Sequence, residues 1–542
     1  WNGIYCLPPH SGGPAPRPNV EVPFKSKVSD GRIMDETQQG AGDVSYAPSP
    51  PEEFCGRREE RERLLSILAR AGAHGQAVMI SGPPGIGKSS LLTWLAYEVQ
   101  DRPGGLQSPV LRGEVFDLPG MIFFAIRELQ NDLRRHVVSA RFGDLFGGEG
   151  IREAIRYADD VFEKYAAPVE PVGLLPKTGE EIIGIYARSP RVGYDRVRGA
   201  FMDLLRELGE LTAGTGHIAS VLLDDVHLAS SLDRRLLRDI LHDLPPGIFL
   251  AFTCGAGGAA GPGCAPVQEE EIRDLGVPEV ALSGMRGHEI REMAKRRFDL
   301  SLGDEAVGLL AGTASSPFSL MACFNALRRR GLPPSTTNVR GVLAGAGDPA
   351  TLVFALLPGS GREWVEELSV LNPPFPVPVM ACMLGLPEAS VTDRAGKSGI
   401  LRRLPGGEYA FAHPLLQEHC RRTLPSGAKV ALNARAADCF ERSMPRLPDR
   451  LYVLLSLACH LFYAREYEKA ADLNRELGLR FYHRGDYATA LVLTKRTITS
   501  AEHLGDEALL AAAQEQRDLI RQKIPARTGP CGEGLSSFRR DD

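Results

Sequence analysis

The sequence predicts an α/β domain built on a parallel sheet, followed by largely helical regions. Three observations carry this expectation. A short apolar strand at 77–80 runs into a glycine-rich loop and then a helix at 90–99. A second apolar strand at 220–223 ends in two aspartates, Asp224 and Asp225. From about residue 428 to 522 the apolar residues recur with helical period.

At 542 residues the chain exceeds what one hydrophobic core usually supports, so several domains in series are expected. With 43% hydrophobic residues, 24% charged residues and a net charge of -5, the composition is that of an ordinary globular protein, and no bulk basic charge calls for nucleic acid. No apolar run approaches the roughly 20 residues needed to span a bilayer, so a soluble chain without membrane contact is expected. It begins at Trp1 and not at Met, as a piece of a longer protein would, and it lacks the basic start and apolar stretch of a secretory leader. The ten cysteines never form Cys-x-x-Cys, and Cys323, Cys439 and Cys459 sit in helical apolar patterns. Buried reduced thiols in a cytoplasmic protein are the expectation.

Residues 1–53, rich in Pro, Gly and Ser, read as a disordered linker. The α/β core is expected at 54–278. It opens with Leu64, Leu65 and Leu68 at helical spacing, ahead of the strand at 77–80. Gly82, Pro83, Pro84, Gly85, Ile86, Gly87, Lys88 and Ser89 then satisfy G-x-x-x-x-G-K-[ST], and Ser90 continues into the helix. Glycines let such a loop curl until backbone N–H groups and the positive helix end point at phosphate oxygens. Lys88 can neutralise the terminal phosphates, and the Ser89 hydroxyl can ligate a bridging Mg²⁺, which makes ATP or ADP with Mg²⁺ the expected ligand. The metal needs a second acidic side. Asp224, at the end of a buried strand, is assigned to it, and Asp225 to orienting or deprotonating the attacking water. His227 reads equally as a polar loop residue or as a group near the γ-phosphate.

With these residues on the page, the chain resembles the STAND-type signalling ATPases of the AAA+ group, particularly bacterial regulators with an origin-recognition-like ATPase domain. Phe54-Cys55-Gly56-Arg57-Arg58-Glu59 is similar to the motif that closes over adenine, which implies nucleotide contacts for Gly56 and Arg57. The loop around Lys88 resembles Walker A, and 221–227 resembles a Walker B strand ending in two aspartates and a nearby histidine. Ser315-Ser316-Pro317 is similar to the Gly-x-Pro of the helical lid, with serine in place of glycine, and implies that Pro317 lies at the nucleotide. After the strand 248–253, Cys254-Gly255 stands where the family commonly has a phosphate-sensing arginine.

The lid is expected at 279–345, starting with 280–283 and continuing through helices at 287–298 and 304–330. A winged helix is expected at 346–426, with helices at 364–371, 379–386 and 391–400. Residues 401–404 then turn through Gly406 and Gly407 to pair with 409–411. The resemblance implies that His413 touches a bound diphosphate, while the residue pattern alone equally allows a histidine that packs at a strand end. Arg402, Arg403, Arg421 and Arg422 lack the aromatic or Asn/Gln pattern of a base-reading surface, so DNA binding is not expected. Residues 427–524 read as helical. There 465–471 is echoed by 485–491, which resembles tetratricopeptide-like repeats although the spacing is shorter than 34 residues; a plain bundle is the alternative. Either surface suits a protein partner or self-association. Residues 525–542 read as a disordered tail. The whole is expected to be a slowly hydrolysing ATP switch. The alternatives are a nucleotide-holding scaffold without turnover and a DNA-bound ATPase of the origin-recognition type.

Overall fold

In a computed structural model of the chain, the described residues are 54–101, 108–115, 156, 194–255 without 215 and 230, and 276–524 without 346, 347, 358, 405, 406, 448 and 449. The expected linker, the expected tail and Gly406 lie outside them.

The apolar runs of the core form five strands: β1 (Gln76–Gly82), β2 (Val110–Glu114), β3 (Ala219–Asp224), β4 (Ile248–Gly255) and β5 (Glu279–Ala281). They pair in the order β2-β3-β4-β1-β5, and every pairing is parallel. Strands buried on both faces need apolar residues at every position, which is why 77–80 and 248–252 read as runs and not as alternations. Their side chains still divide by twos. Val78, Ile80, Phe249 and Ala251 pack with Leu64, Leu68, Leu91 and Leu95 of α1 (Arg58–Leu68) and α2 (Lys88–Ala96). Met79, Leu250 and Phe252 pack on the other face with Phe201, Leu205 and Leu236 of α3 (Tyr194–Gly214) and α4 (Ser231–His242). A helical layer on each face of a parallel sheet is the architecture that the apolar runs require.

Past β5 the chain is helical: α5 (Gly287–Phe298), α6 (Asp304–Thr313), α7 (Pro317–Arg329), α8 (Thr336–Ala344) and α9 (Pro349–Leu356). The stretch 280–283, expected to begin the lid, instead starts inside β5, which pairs with β1 at the sheet edge; three residues are too few to show a strand period. Next come α10 (Gly359–Leu368), α11 (Val377–Leu384) and α12 (Glu388–Ser398), followed by the antiparallel hairpin of β6 (Leu401–Arg403) and β7 (Tyr409–Phe411). Phe375 bridges Tyr409 on the outer side of the hairpin. The expected three helices and hairpin are present in that order. Helix α13 (Pro414–Thr423) then leads to α14 (Ser426–Ser443), α15 (Arg450–Tyr463), α16 (Tyr467–Arg484), α17 (Tyr487–Leu504) and α18 (Glu507–Lys523).

The weak repeat has a simple geometry. Arg465, Gly485 and Gly505 each take a left-handed conformation, with φ of 64°, 82° and 67°. The N–H groups of Glu466, Asp486 and Asp506 each close back on the carbonyl five residues earlier, and Asp486 and Asp506 cap the next helix. The unit is thus one helix and one two-residue turn, not a helical hairpin, which explains an echo shorter than the tetratricopeptide period. Ala470 and Ala490 are fully buried.

One expectation is corrected. Cys439 is not a thiol: it is disulfide-bonded to Cys382, with the two Cα atoms 5.6 Å apart where α11 meets α14. The 57 residues between them hid the pairing from sequence spacing. Cys323 and Cys459 are buried and free as expected, and burial pushes the Cys323 thiol up to about 12. The disulfide removes the all-thiol premise behind the cytoplasmic expectation. Among the described residues no single helix is long and apolar enough to cross a membrane.

Candidate functional site

Strand β1 ends at Gly82, and α2 starts at Lys88, so the loop lies beyond the carboxyl edge of the central strand. Gly82, Gly85 and Gly87 take φ of 151°, 75° and 97°, values that a side chain would resist. Lys88 is buried and donates from Nζ to the carbonyls of Gly82 (2.9 Å) and Pro83 (3.2 Å), which holds its charge under the loop. Ser89 is exposed on the first turn of α2, and Ile86 is buried in the sheet-side core.

Two strands along, β3 delivers Asp224 and Asp225. Asp225 sits in the left-handed region at φ 56°. The hydroxyl of Thr253 on β4 fixes both residues, donating to Asp224 Oδ1 at 2.5 Å and accepting the Asp225 N–H at 2.8 Å. The β2–β3 register adds a residue that sequence reasoning missed: Glu114 pairs with Asp224. Oxygens of Glu114, Asp224 and Asp225 lie within 4.8 Å of one another. The only sequence signal was a two-residue apolar run, 110–111, three residues ahead of the acid. Burial, with the charges of Asp224 and Glu114, holds Asp225 well above the usual carboxylate range, against the pull of Lys88 and Arg402. Burial likewise raises Glu114, although the Arg402 guanidinium pairs with it. An all-oxygen donor set of this kind fits a hard divalent cation such as Mg²⁺.

His227 follows on a short 3₁₀ turn, with Nδ1 3.9 Å from Asp225 Oδ1. Burial and the Lys88 charge push it down to about 4, so it is neutral at pH 7. Its ring lies against Gly255, where an added Cβ would stand 2.9 Å from Nε2. Any side chain at Gly255 would therefore displace His227.

The resemblance-implied residues gather on the same loop. Pro317 opens α7 against it: Phe318 N–H donates to Gly85 O at 3.3 Å, and Pro317 Cγ stands 3.5 Å from where a Cβ of Gly87 would be. Ser315, in place of the usual glycine, is accommodated by Gly284, since a Cβ there would lie 2.0 Å from Ser315 Oγ. His413 precedes α13 and packs its ring on Phe318, with centroids 4.8 Å apart. Leu415 would be 3.3 Å from a Cβ at Gly85. Arg57 donates to the carbonyls of Ile86 (3.3 Å) and Ser283 (2.5 Å), while its N–H and the bare Cα of Gly56 lie against Glu289 of α5. These contacts tie the opening motif to the loop and to α5.

Fold and site together define a P-loop nucleotide-binding domain. Residues 53–252 match the family model of the AAA ATPase domain, in keeping with the sequence resemblance. Over 80 residues it is 34% identical to the RuvB subunit of the Holliday junction branch migration complex from Corynebacterium diphtheriae, a match covering 14% of this chain and 22% of that protein. The chain thus spans less than a quarter of that relative's length. Among solved structures it is similar to a Signal Transduction ATPase with Numerous Domains (STAND) protein with a tetratricopeptide repeat sensor from Pyrococcus horikoshii. That likeness has a TM-score of 0.44 and 13% identity, and it covers 89% of this chain and 66% of the other. It is also similar to the ORC2 protein of Aeropyrum pernix, with a TM-score of 0.32, 15% identity and coverage of 73% and 97%.

Proposed function

We propose that this chain is an ATP-dependent switch of the STAND type, in which bound nucleotide sets the arrangement of core, lid and winged helix. The observation that carries the reading is convergence on Gly85. Its carbonyl receives the N–H of Phe318 from the lid side, and its Cα faces Leu415 from the segment after the hairpin. A ligand in this loop touches, or is touched through, three parts of the chain at once, so it has the differential contacts that a population shift requires.

In the proposed chemistry, Lys88 and the loop N–H groups from Gly82 to Ser90 hold the phosphates. Ser89 and Asp224 hold Mg²⁺, which would neutralise charge on the transferred phosphoryl group. Asp225 takes the proton of the attacking water. A carboxylate held above its usual range is a stronger base, which suits it to that role. Loss of phosphate would release the contacts through Phe318 and His413 and free the helical region for a partner or a second copy.

Three of the four arginines near the hairpin are already engaged, Arg402 with Glu114, Arg421 with the carbonyls of Ser369 and Leu371, and Arg422 with Asp348. This favours a protein-directed switch over a DNA-bound ATPase.

The deciding experiment compares wild type with Lys88→Ala. Helix α2 keeps its buried Leu91, Leu92 and Leu95, so the variant folds. It is expected to lose ATP binding and phosphate release and to become insensitive to nucleotide in hydrodynamic size. Retained ATP affinity in the variant would sink the phosphate-loop assignment.

A further inference from the structure

We propose that Arg402 of the hairpin is the built-in counterion of the Glu114, Asp224 and Asp225 carboxylates, and that a divalent cation competes with it, so that metal uptake loosens the hairpin from the core. The inference rests on the switch reading above and names the residue through which the metal would act.

Arg402 lies on β6, 288 residues from its partner in sequence, and its Nη2 donates to Glu114 Oε1. Glu114 is paired in register with Asp224. Three acidic side chains whose oxygens lie within 4.8 Å repel one another strongly when ionised, and the cluster therefore needs positive charge close by. Lys88 supplies one such charge and is tied to the carbonyls of Gly82 and Pro83. Arg402 supplies the other from outside the sheet. Its planar fork suits a carboxylate, and the pair is part-buried, with 30% and 19% of the two side chains exposed, so water still reaches its edge.

A divalent cation on the same oxygens brings twice the charge of a guanidinium and repels it. Each ligand then weakens the other by the same factor, because coupling between two binding events is reciprocal. Arg402 docks only when the hairpin is seated, whereas the carboxylates belong to the core sheet. Competition at the cluster therefore becomes competition between metal and hairpin docking. The neighbouring Arg403 is exposed and supplies a control: it carries the same charge on the same strand, and no contact between it and the cluster is found among the described residues.

The test uses Mg²⁺ alone as the probe. Calorimetry measures its affinity for nucleotide-free wild type, Arg402→Gln and Arg403→Gln, and hydrogen–deuterium exchange follows the peptides covering 401–403 and 409–411 as Mg²⁺ is added; both are repeated with ADP. The expected results are Mg²⁺ affinity tightened in Arg402→Gln by roughly 5- to 150-fold, the usual span of such couplings, and unchanged in Arg403→Gln. In wild type, Mg²⁺ is expected to speed exchange in the hairpin. Equal tightening in both variants would reduce the effect to net charge and overturn the proposal. So would wild-type affinity in Arg402→Gln, exchange indifferent to saturating Mg²⁺, or no Mg²⁺ uptake with or without ADP. The wild-type exchange arm decides if the variant misfolds. Failure of the switch reading looks different: nucleotide then fails to bind in EDTA, while Mg²⁺ alone still reports the competition.

Discussion

The Thr253 hydroxyl holds Asp224 by donating to its carboxylate and holds Asp225 by accepting its N–H, so one side chain on β4 fixes two consecutive acids at the end of β3. Thr253 is fully buried, and valine would keep its shape while deleting both bonds. Leaving the Asp225 N–H and an Asp224 oxygen without this partner is worth about 1 to 3 kcal/mol. Thr253→Val is expected to lower Mg²⁺-dependent phosphate release by roughly tenfold or more, with ADP affinity in EDTA unchanged. Steady-state phosphate release and fluorescent-ADP titration measure the two effects. Wild-type turnover would show that the clamp does not position the acids.

Asp225 adopts φ 56°, a region that asparagine tolerates as well as aspartate, so Asp225→Asn changes the chemistry without straining the turn. The variant is expected to keep Mg²⁺-ATP bound and to lose roughly 10² to 10⁴ in phosphate release, the usual contribution of a general base. Equal rates for mutant and wild type would remove Asp225 from the mechanism.

The parts of this site legible in the sequence are those in which local spacing fixes geometry. The loop from Gly82 to Ser89 and the strand ending in Asp224 announce themselves, because phosphate cradles and buried strands dictate consecutive residues. Thr253, Glu114 and Arg402 were not legible as site residues. Each reaches the acids through sheet register or hairpin docking, and nothing within a few positions of Glu114 marks that Arg402 will face it. The same holds for Cys382 with Cys439, joined across 57 residues. The Ser315 departure became intelligible only with Gly284 beside it: the small residue that the contact needs stands on the other chain segment.

The helical region carries its own pH sensitivity. His460 is 1% exposed, stacks on Phe440, and has Nδ1 2.9 Å from Asn433 Oδ1. Burial, with the charges of Arg421 and Arg496, pushes it down from 6.5 to about 3. The unfolded chain thus takes up a proton near pH 6.5 that the native state refuses until about pH 3, so the stabilising contribution is complete above pH 6.5 and is lost as pH falls through that window. The slope approaches about 1.4 kcal/mol per pH unit within it. Denaturant unfolding at pH 7 and pH 5 should show a smaller drop in His460→Gln than in wild type. Parallel pH dependences would mean that His460 is accessible to protons in the native state.

The last prediction concerns His413, whose ring packs on Phe318 while the Phe318 N–H holds the Gly85 carbonyl of the phosphate loop. This places the histidine one residue away from the loop, on a segment that also brings Leu415 against Gly85. If nucleotide state is read through this contact, His413→Ala weakens the closed arrangement more than it weakens the fold. If His413 also hydrogen-bonds the phosphate, as the family resemblance implies, that bond contributes about 1.5 to 3 kcal/mol, and losing it changes a minor population by roughly tenfold or more. The variant is expected to release ADP about tenfold faster and to show a larger hydrodynamic radius without added trigger, with a melting temperature close to wild type. A histidine that only packs on Phe318 gives the opposite signature. Removing its ring would lower the melting temperature, because half-buried ring surface is lost, and would leave ADP release and hydrodynamic size as they were. Phe318→Leu separates the two routes further. It keeps the backbone N–H to Gly85 but deletes the ring face, so a sensing His413 would lose part of its effect on ADP release, and a packing His413 would lose only stability.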